Sequence, residues 1–181
     1  MLQASERIIF RKFTFDDVHS FIAYRSDPEI SKYQSWSENL NVETITSFVE
    51  EQQNLRIGDL TWVQVLMEEN QENQHIGDMG IKSFDEGRQV EFGITIAKVF
   101  QQKGYASEAL YTLFIHLFTQ LEIHRVVATI DAENIASIRL MEKLGMRNEA
   151  YHVKSYFQNN SWTDEVVYAI TKNEFMHNTL N

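Results

Sequence analysis

The chain has 181 residues, of which 26 are acidic, 16 basic and none cysteine, for a formal net charge of −10. That length fits one domain, 1–181, with a core large enough to need no staples. The missing cysteines exclude disulfides, zinc–thiolate sites and cysteine nucleophiles, and the negative charge argues against nucleic acid and for a basic substrate or partner.

The opening Met1-Leu2-Gln3-Ala4-Ser5-Glu6-Arg7 lacks the apolar run of a secretory signal. No stretch approaches the roughly 18 apolar residues of a membrane span. The expectation is a cytoplasmic protein with no membrane partner. Ile8 to Phe13 alternates and reads as a strand. Thr14-Phe15-Asp16-Asp17 reads as a capping box opening a helix through about Arg25. Asp27-Pro28 starts a short turn, and Asn41 caps a helix that Gly58 is expected to end. Leu60 to Met67, His75 to Phe84 and Val90 to Ala97 read as three antiparallel strands, with a hairpin turn at Asp85-Glu86-Gly87-Arg88.

The pattern then changes. Ala106, Leu110, Leu113, Phe114, Leu117, Phe118 and Leu121 share one stripe of a helix from Tyr105 to Leu121. Arg125 to Ile130 is a short strand, and Asn134 to Leu144 is a helix closed by Gly145. Tyr151 to Phe157 and Trp162 to Ile170, around Asn159-Asn160, form a final hairpin. This order predicts an α+β domain: one mixed, mostly antiparallel sheet of about seven strands flanked by about four helices.

The segment Gln101-Gln102-Lys103-Gly104-Tyr105-Ala106 lies between a strand and the long helix. Helix-start N–H groups and the helix dipole together make an anion site, and a glycine removes the Cβ that would hinder approach. An ordinary strand-to-helix turn is the competing reading. The spacings of a nucleotide P-loop and of a dinucleotide fingerprint are absent.

Two blocks carry a family resemblance. Gln101-x-x-Gly104-x-Ala106, extended as Gly104-Tyr105-Ala106-Ser107-Glu108-Ala109, resembles the acetyl-CoA motif of the GNAT superfamily of N-acetyltransferases, in its RimJ/RimL-like branch. Asn134-x-x-Ser137 followed by Met141-Glu142-Lys143-Leu144-Gly145-Met146 resembles its second block. The chain departs where the branch often has glycine, at Gln102, and phenylalanine, at Met146.

The resemblance implies a GNAT-type domain whose strand before the loop splays from the next strand to make a cleft. It implies acetyl-CoA as cosubstrate, transfer to a primary amine by direct attack, and no metal. The acceptor it implies first is a protein N-terminal amine. A polyamine or aminoglycoside is the alternative, and a non-catalytic CoA-binding module is the reading from another class. Gln101, Gln102, Lys103, Gly104, Tyr105, Ala106 and Ser107 would bind the cofactor, with the backbone amides of Gln102 to Ala106 cradling its diphosphate. Ile94, Thr95 and Ile96 would pair with the pantetheine arm, and Asn134 would contact it. Family members are often dimers, so a homodimer is implied too.

Amine acetylation needs a base, because only the free amine attacks, and a proton for the leaving thiolate. Glu91 resembles the glutamate some family members use as base, directly or through water. Ser137 is the candidate acid near the thioester sulfur, with Tyr156 as alternative. Each has an ordinary reading: a strand carboxylate, a helix serine and a strand aromatic. Asn134 can also be simply a helix N-cap. Tyr33, Trp36 and Trp62 would wall an amine pocket. The histidines His19, His75, His116, His124, His152 and His177 show no metal-ligand spacing.

Overall fold

The structure, a computed structural model, describes residues 2–34, 40–158 and 160–179, with only the backbone of Thr179. Trp36 and the turn residue Asn159 lie outside the described residues. The strands are β1 (Ile8–Arg11), β2 (Val63–Glu69), β3 (His75–Phe84), β4 (Gln89–Ile96), β5 (Arg125–Asp131), β6 (Arg147–Gln158) and β7 (Ser161–Thr171). The helices are α1 (Val18–Arg25), α2 (Pro28–Ser31), α3 (Val42–Gln52), α4 (Tyr105–Thr119), α5 (Ile135–Lys143) and α6 (Lys172–Thr179). All seven strands form one sheet in the order β1-β2-β3-β4-β5-β7-β6. Every neighbouring pair is antiparallel except β4 and β5, which run parallel. The predicted α+β mixed sheet is therefore the observed one.

The expectation of about four helices is corrected to six among the described residues. Asp27-Pro28 opens α2, because the Asp27 carboxylate accepts the Glu29 N–H at 2.9 Å and proline suits the first helical position. The sixth, α6, was not predicted. The Thr171 hydroxyl and N–H donate to the Glu174 carboxylate at 2.6 and 2.8 Å, which fixes its start. Phe175 then anchors it beside Phe118, with ring centres 5.3 Å apart. The third helix starts at Asn41 as expected but ends at Gln52, well before Gly58. The predicted strand start at Leu60 is also moved, to Val63, because Leu60 is exposed on the preceding turn.

One face of the sheet packs on α4. Leu110, Leu113, Phe114, Leu117 and Phe118 are fully buried there, against Val65, Met79, Ile81, Val90, Phe92 and Val126. The stripe ends, Ala106 and Leu121, are less buried. The opposite face carries a smaller cluster under α1 and α3, made of Phe13, Val18, Phe21, Ile45, Val49 and Leu66.

Two features of β4 position the site. Gly77 of β3 sits opposite Ile96, and a Cβ at Gly77 would fall 2.0 Å from the Thr95 carbonyl oxygen. Only glycine permits that close strand approach. On its other side, β4 pairs with β5 only from Gln89 to Glu91, against Arg125 to Val127. From Phe92 onward the two strands part, as the resemblance implied.

Candidate active site

A cleft of about 270 Å³ opens where β4 leaves β5. Glu91, Gly93 and Ile94 supply one wall, and Thr129 and Asp131 of β5 face them. Asn134 and Ser137 come from the start of α5, and Tyr156 and Glu165 from the β6–β7 hairpin. Tyr33 and Trp62 close the side toward α2 and β2. The structure thus gathers both candidate catalytic residues, the alternative acid and two of the three predicted aromatics in one space.

Side-chain alternation puts Glu91 on the polar face of β4, while Val90 and Phe92 point into the core. The Thr129 hydroxyl donates to Glu91 Oε1 at 3.1 Å, leaving Oε2 for another partner. Asn134 does cap α5: its side chain accepts the Ser137 N–H at 3.2 Å. That bond uses Asn134 Oδ1 and the Ser137 backbone, so the Ser137 hydroxyl and the Asn134 amide remain available to the cleft. The Tyr33 hydroxyl reaches the Glu133 carbonyl at 3.4 Å, tying the end of α2 to the β5–α5 connection.

Sequence reasoning missed two lining carboxylates, Asp131 and Glu165. Period-2 alternation from Glu91 and Thr129 gives Asp131 the same facing, but nothing local brings β7 alongside. Among the described residues, the lining holds three carboxylates and no lysine, arginine or histidine.

The residues predicted to bind the cofactor sit apart from this lining, at the start of α4. Gln102 and Gly104 both adopt left-handed backbone, with φ of 60° and 85°. A glycine at 102 would adopt that conformation freely; glutamine adopts it with some strain. Gly104 occupies the N-cap position of α4, where no side-chain cap forms, so the first-turn N–H groups stay open. Gln101 through Gly104 are exposed, Tyr105 is buried, and Ala106 and Ser107 lie between. Lys103 Nζ sits 5.6 Å from the centre of the Phe100 ring. Gln101 Nε2 donates to the Ile96 carbonyl at 3.0 Å.

The three β4 residues divide. In an antiparallel ladder, alternate residues turn both backbone groups to the same neighbour. The Ala97 N–H donates to the Ile76 carbonyl, so Thr95 also faces β3, and Ile94 and Ile96 face the gap left by β5. The Thr95 side chain is buried, with no hydrogen-bond partner for its hydroxyl.

Behind the cleft wall lies a buried ion pair. Asp78 of β3 is fully buried and accepts from Arg25, Tyr24 and Gln64. Burial, reinforced by the Asp78 charge, pushes the Tyr24 phenol well above its ordinary range. Arg25 also donates to Gln34 Oε1 at 2.8 Å, and Gln34 lines the cleft. The network fixes α1 and the chain after α2 against the sheet.

Comparison with known proteins agrees with this architecture. Residues 7–147 match the family model of the acetyltransferase (GNAT) domain, and the chain belongs to that family. It is 34% identical over 173 residues to the N-acetyltransferase YnaD of Bacillus subtilis, covering 94% of this chain and 97% of that one. A GNAT-family acetyltransferase structure from Bacillus anthracis superposes with a TM-score of 0.82 at 32% identity, over 96% of this chain and all of that one. The structure of spermidine N-acetyltransferase from Vibrio cholerae in complex with CoA and spermine superposes with a TM-score of 0.81 at 19% identity, over 93% and 98% of the two chains, a likeness of fold.

The protein is an acetyltransferase, and acetyl-CoA is the cosubstrate of its family. The residues present fit that cosubstrate: a splayed strand edge with free backbone groups, and a left-handed loop opening an uncapped helix.

Proposed function

We propose that the chain transfers an acetyl group from acetyl-CoA to a primary amine that carries further positive charge. The observation that carries this reading is the cleft at the β4–β5 splay. It brings Glu91, Ser137 and Tyr156 together inside a lining of three carboxylates. Such a lining lowers the cost of holding a polycation and disfavours an anionic acceptor. A small polyamine satisfies it best. The substrate in the name of a spermidine N(1)-acetyltransferase of Vibrio cholerae, 31% identical over 77 residues covering 42% of this chain, agrees with that acceptor.

Acetyl-CoA, when bound, supplies the activated acetyl group. In this reading the backbone N–H groups of Gln102 to Ala106 hold its diphosphate, with Lys103 adding charge, while the Gln101 N–H is used on the Lys98 carbonyl. Ile94 and the N–H of Ile96 offer backbone groups to the pantetheine arm, the Ile96 carbonyl being held by Gln101, and Thr95 anchors β4 to β3. The Asn134 amide steadies the arm near its thiol end. Glu91 Oε2 takes the proton from the acceptor ammonium, directly or through a water, while Thr129 holds the other oxygen. The free amine nitrogen bonds to the acetyl carbon as the carbon–sulfur bond breaks. Ser137 or Tyr156 gives a proton to the departing thiolate and is replenished by the second proton that the new amide nitrogen sheds.

A protein N-terminal amine, the acceptor of the RimJ/RimL-like branch, is the second reading. Phe157 and Trp162 favour it: their rings lie 5.3 Å apart and exposed on the hairpin whose Gln158 lines the cleft. They offer an apolar platform to a peptide. We also propose that the enzyme acts in the cytoplasm as one domain, and as a homodimer through the open edge of β6, where Tyr151 and Val153 are exposed.

Thiol release from acetyl-CoA, followed with spermidine, spermine, aminoglycosides and basic N-terminal peptides, tests the acceptor. Saturable turnover with a polyamine is expected. Turnover with peptides alone would move the acceptor to the protein N-terminus. CoA binding without turnover on any amine would favour the non-catalytic module.

A further inference from the structure

Arg7, just before β1, reaches across the molecule to the start of α4. Its backbone N–H donates to Glu108 Oε1 at 2.9 Å, and its Nε and Nη2 lie 2.7 and 2.6 Å from Oε2. The Ser5 hydroxyl adds a fourth donor to Glu108, at 2.7 Å. The guanidinium lies 4.4 Å over the Tyr105 ring, and its Nη1 donates to the Lys103 carbonyl at 3.1 Å. So one arginine touches three residues of the predicted cofactor loop and first turn, and none of the cleft residues.

Two physical consequences follow. The Lys103–Gly104 peptide is planar and trans, so a carbonyl held toward Arg7 turns the Gly104 N–H the opposite way. Holding the carbonyl therefore aims one amide of the loop. Second, Glu108 places a carboxylate in the first turn of α4, close to where a diphosphate would sit. Burial alone would push that carboxyl up, but hydrogen bonds from Ser5 and Arg7 outweigh it and hold it below its ordinary range, so it is charged at neutral pH. An unpaired carboxylate there would repel phosphate well within a Debye length.

We propose that Arg7 is a positioning residue for the cofactor. It aims the Gly104 amide and cancels the Glu108 charge, and so sets affinity for the diphosphate of a CoA thioester. This rests on the reading of Gln102 to Ala106 as the diphosphate cradle.

The test is equilibrium binding of CoA and of pantetheine, which lacks the diphosphate, to wild type, R7Q, R7K and R7Q/E108Q. Wild type should bind CoA. R7Q should weaken CoA about tenfold, an ordinary coupling free energy, and leave pantetheine within about twofold. R7K keeps the charge and loses the fork, so it should fall between; it carries the test if R7Q does not fold. R7Q/E108Q should recover part of the loss, because the repelling charge is gone. CoA binding by R7Q equal to wild type would overturn the proposal. Equal loss of CoA and pantetheine would also overturn it, since that marks a general lesion. A double variant no better than R7Q would overturn the charge-cancelling half. Wild type that binds no CoA would instead sink the cradle reading itself, and the proposal with it.

Discussion

The two faces of the central sheet are built differently. Against α4 the face is apolar, and Val90, Phe92, Phe114 and Phe118 meet there with no charged group among them, the buried Ser83 hydroxyl opposite Val90 being a lone polar atom. On the other face an apolar cluster covers only the β1–β2 side under α1 and α3. Toward β4 that face turns polar, through Gln64, Asp78, Thr95 and Glu91. The apolar face needs fit above all. The polar face needs each buried charge paired, and Asp78 has three donor residues for that reason. The contrast separates the foundation of the sheet from the wall of its site.

Substitutions can break this contrast. The largest effect is expected at Glu91. Glu91→Gln should lower kcat by about two to four powers of ten while CoA binding and the melting temperature hold, read by steady-state kinetics and calorimetry. A loss of less than about threefold would remove Glu91 as base. Next come near-isosteric changes on the two faces. Asp78→Asn deprives buried Arg25 of its carboxylate and should cost about 3 kcal/mol in urea unfolding. Leu110→Met on the apolar face should cost less than about 1.5 kcal/mol in the same assay. Equal costs would erase the distinction between the faces.

Smaller effects lie further out. Thr129→Val removes the hydroxyl that orients Glu91 and should lower kcat about fivefold, near the worth of one hydrogen bond. The smallest is acid sensitivity at the start of α6. Hydrogen bonds from Thr171, joined by the Arg147 ion pair, hold the Glu174 carboxyl down to about 2. A carboxyl depressed on folding stabilises the native state above its unfolded value, near 4.5, and loses that contribution as pH falls toward 2. Glu174 is well exposed, so solvent screens most of it. The protection of α6 amides, taken relative to their intrinsic exchange rates, should therefore fall as pH drops from 5 to about 3 in wild type, and fall less in Glu174→Gln, which lacks the charge already.

Much of this was legible in the sequence where the signal is local. The stripe of α4, the turn at 85–88 and the glycine at 104 each rest on neighbours within a few residues. The splay of β4 followed from the family blocks, and the parting after Glu91 agrees with it. What stayed hidden depends on distance along the chain. Arg7 and Glu108 meet across 101 positions, and no spacing rule joins them. Asp131 and Glu165 share the cleft only because β7 lies beside β5. The sixth helix was missed because Lys172 to Thr179 is largely polar and Phe175 is its one buried anchor among the described side chains. Thr95 read as part of the cofactor strand, but the ladder register turns its backbone groups to β3.

The central claim is that the parting of β4 from β5 is the cofactor cleft. A crystal structure of the protein with CoA tests it most directly. The diphosphate is expected at the amides of Gln102 to Ala106, the pantetheine arm along Ile94 and Ile96, and the thiol beside Ser137 within reach of Glu91. CoA bound elsewhere on the chain, or a thiol lying away from Glu91 and Ser137, would contradict it.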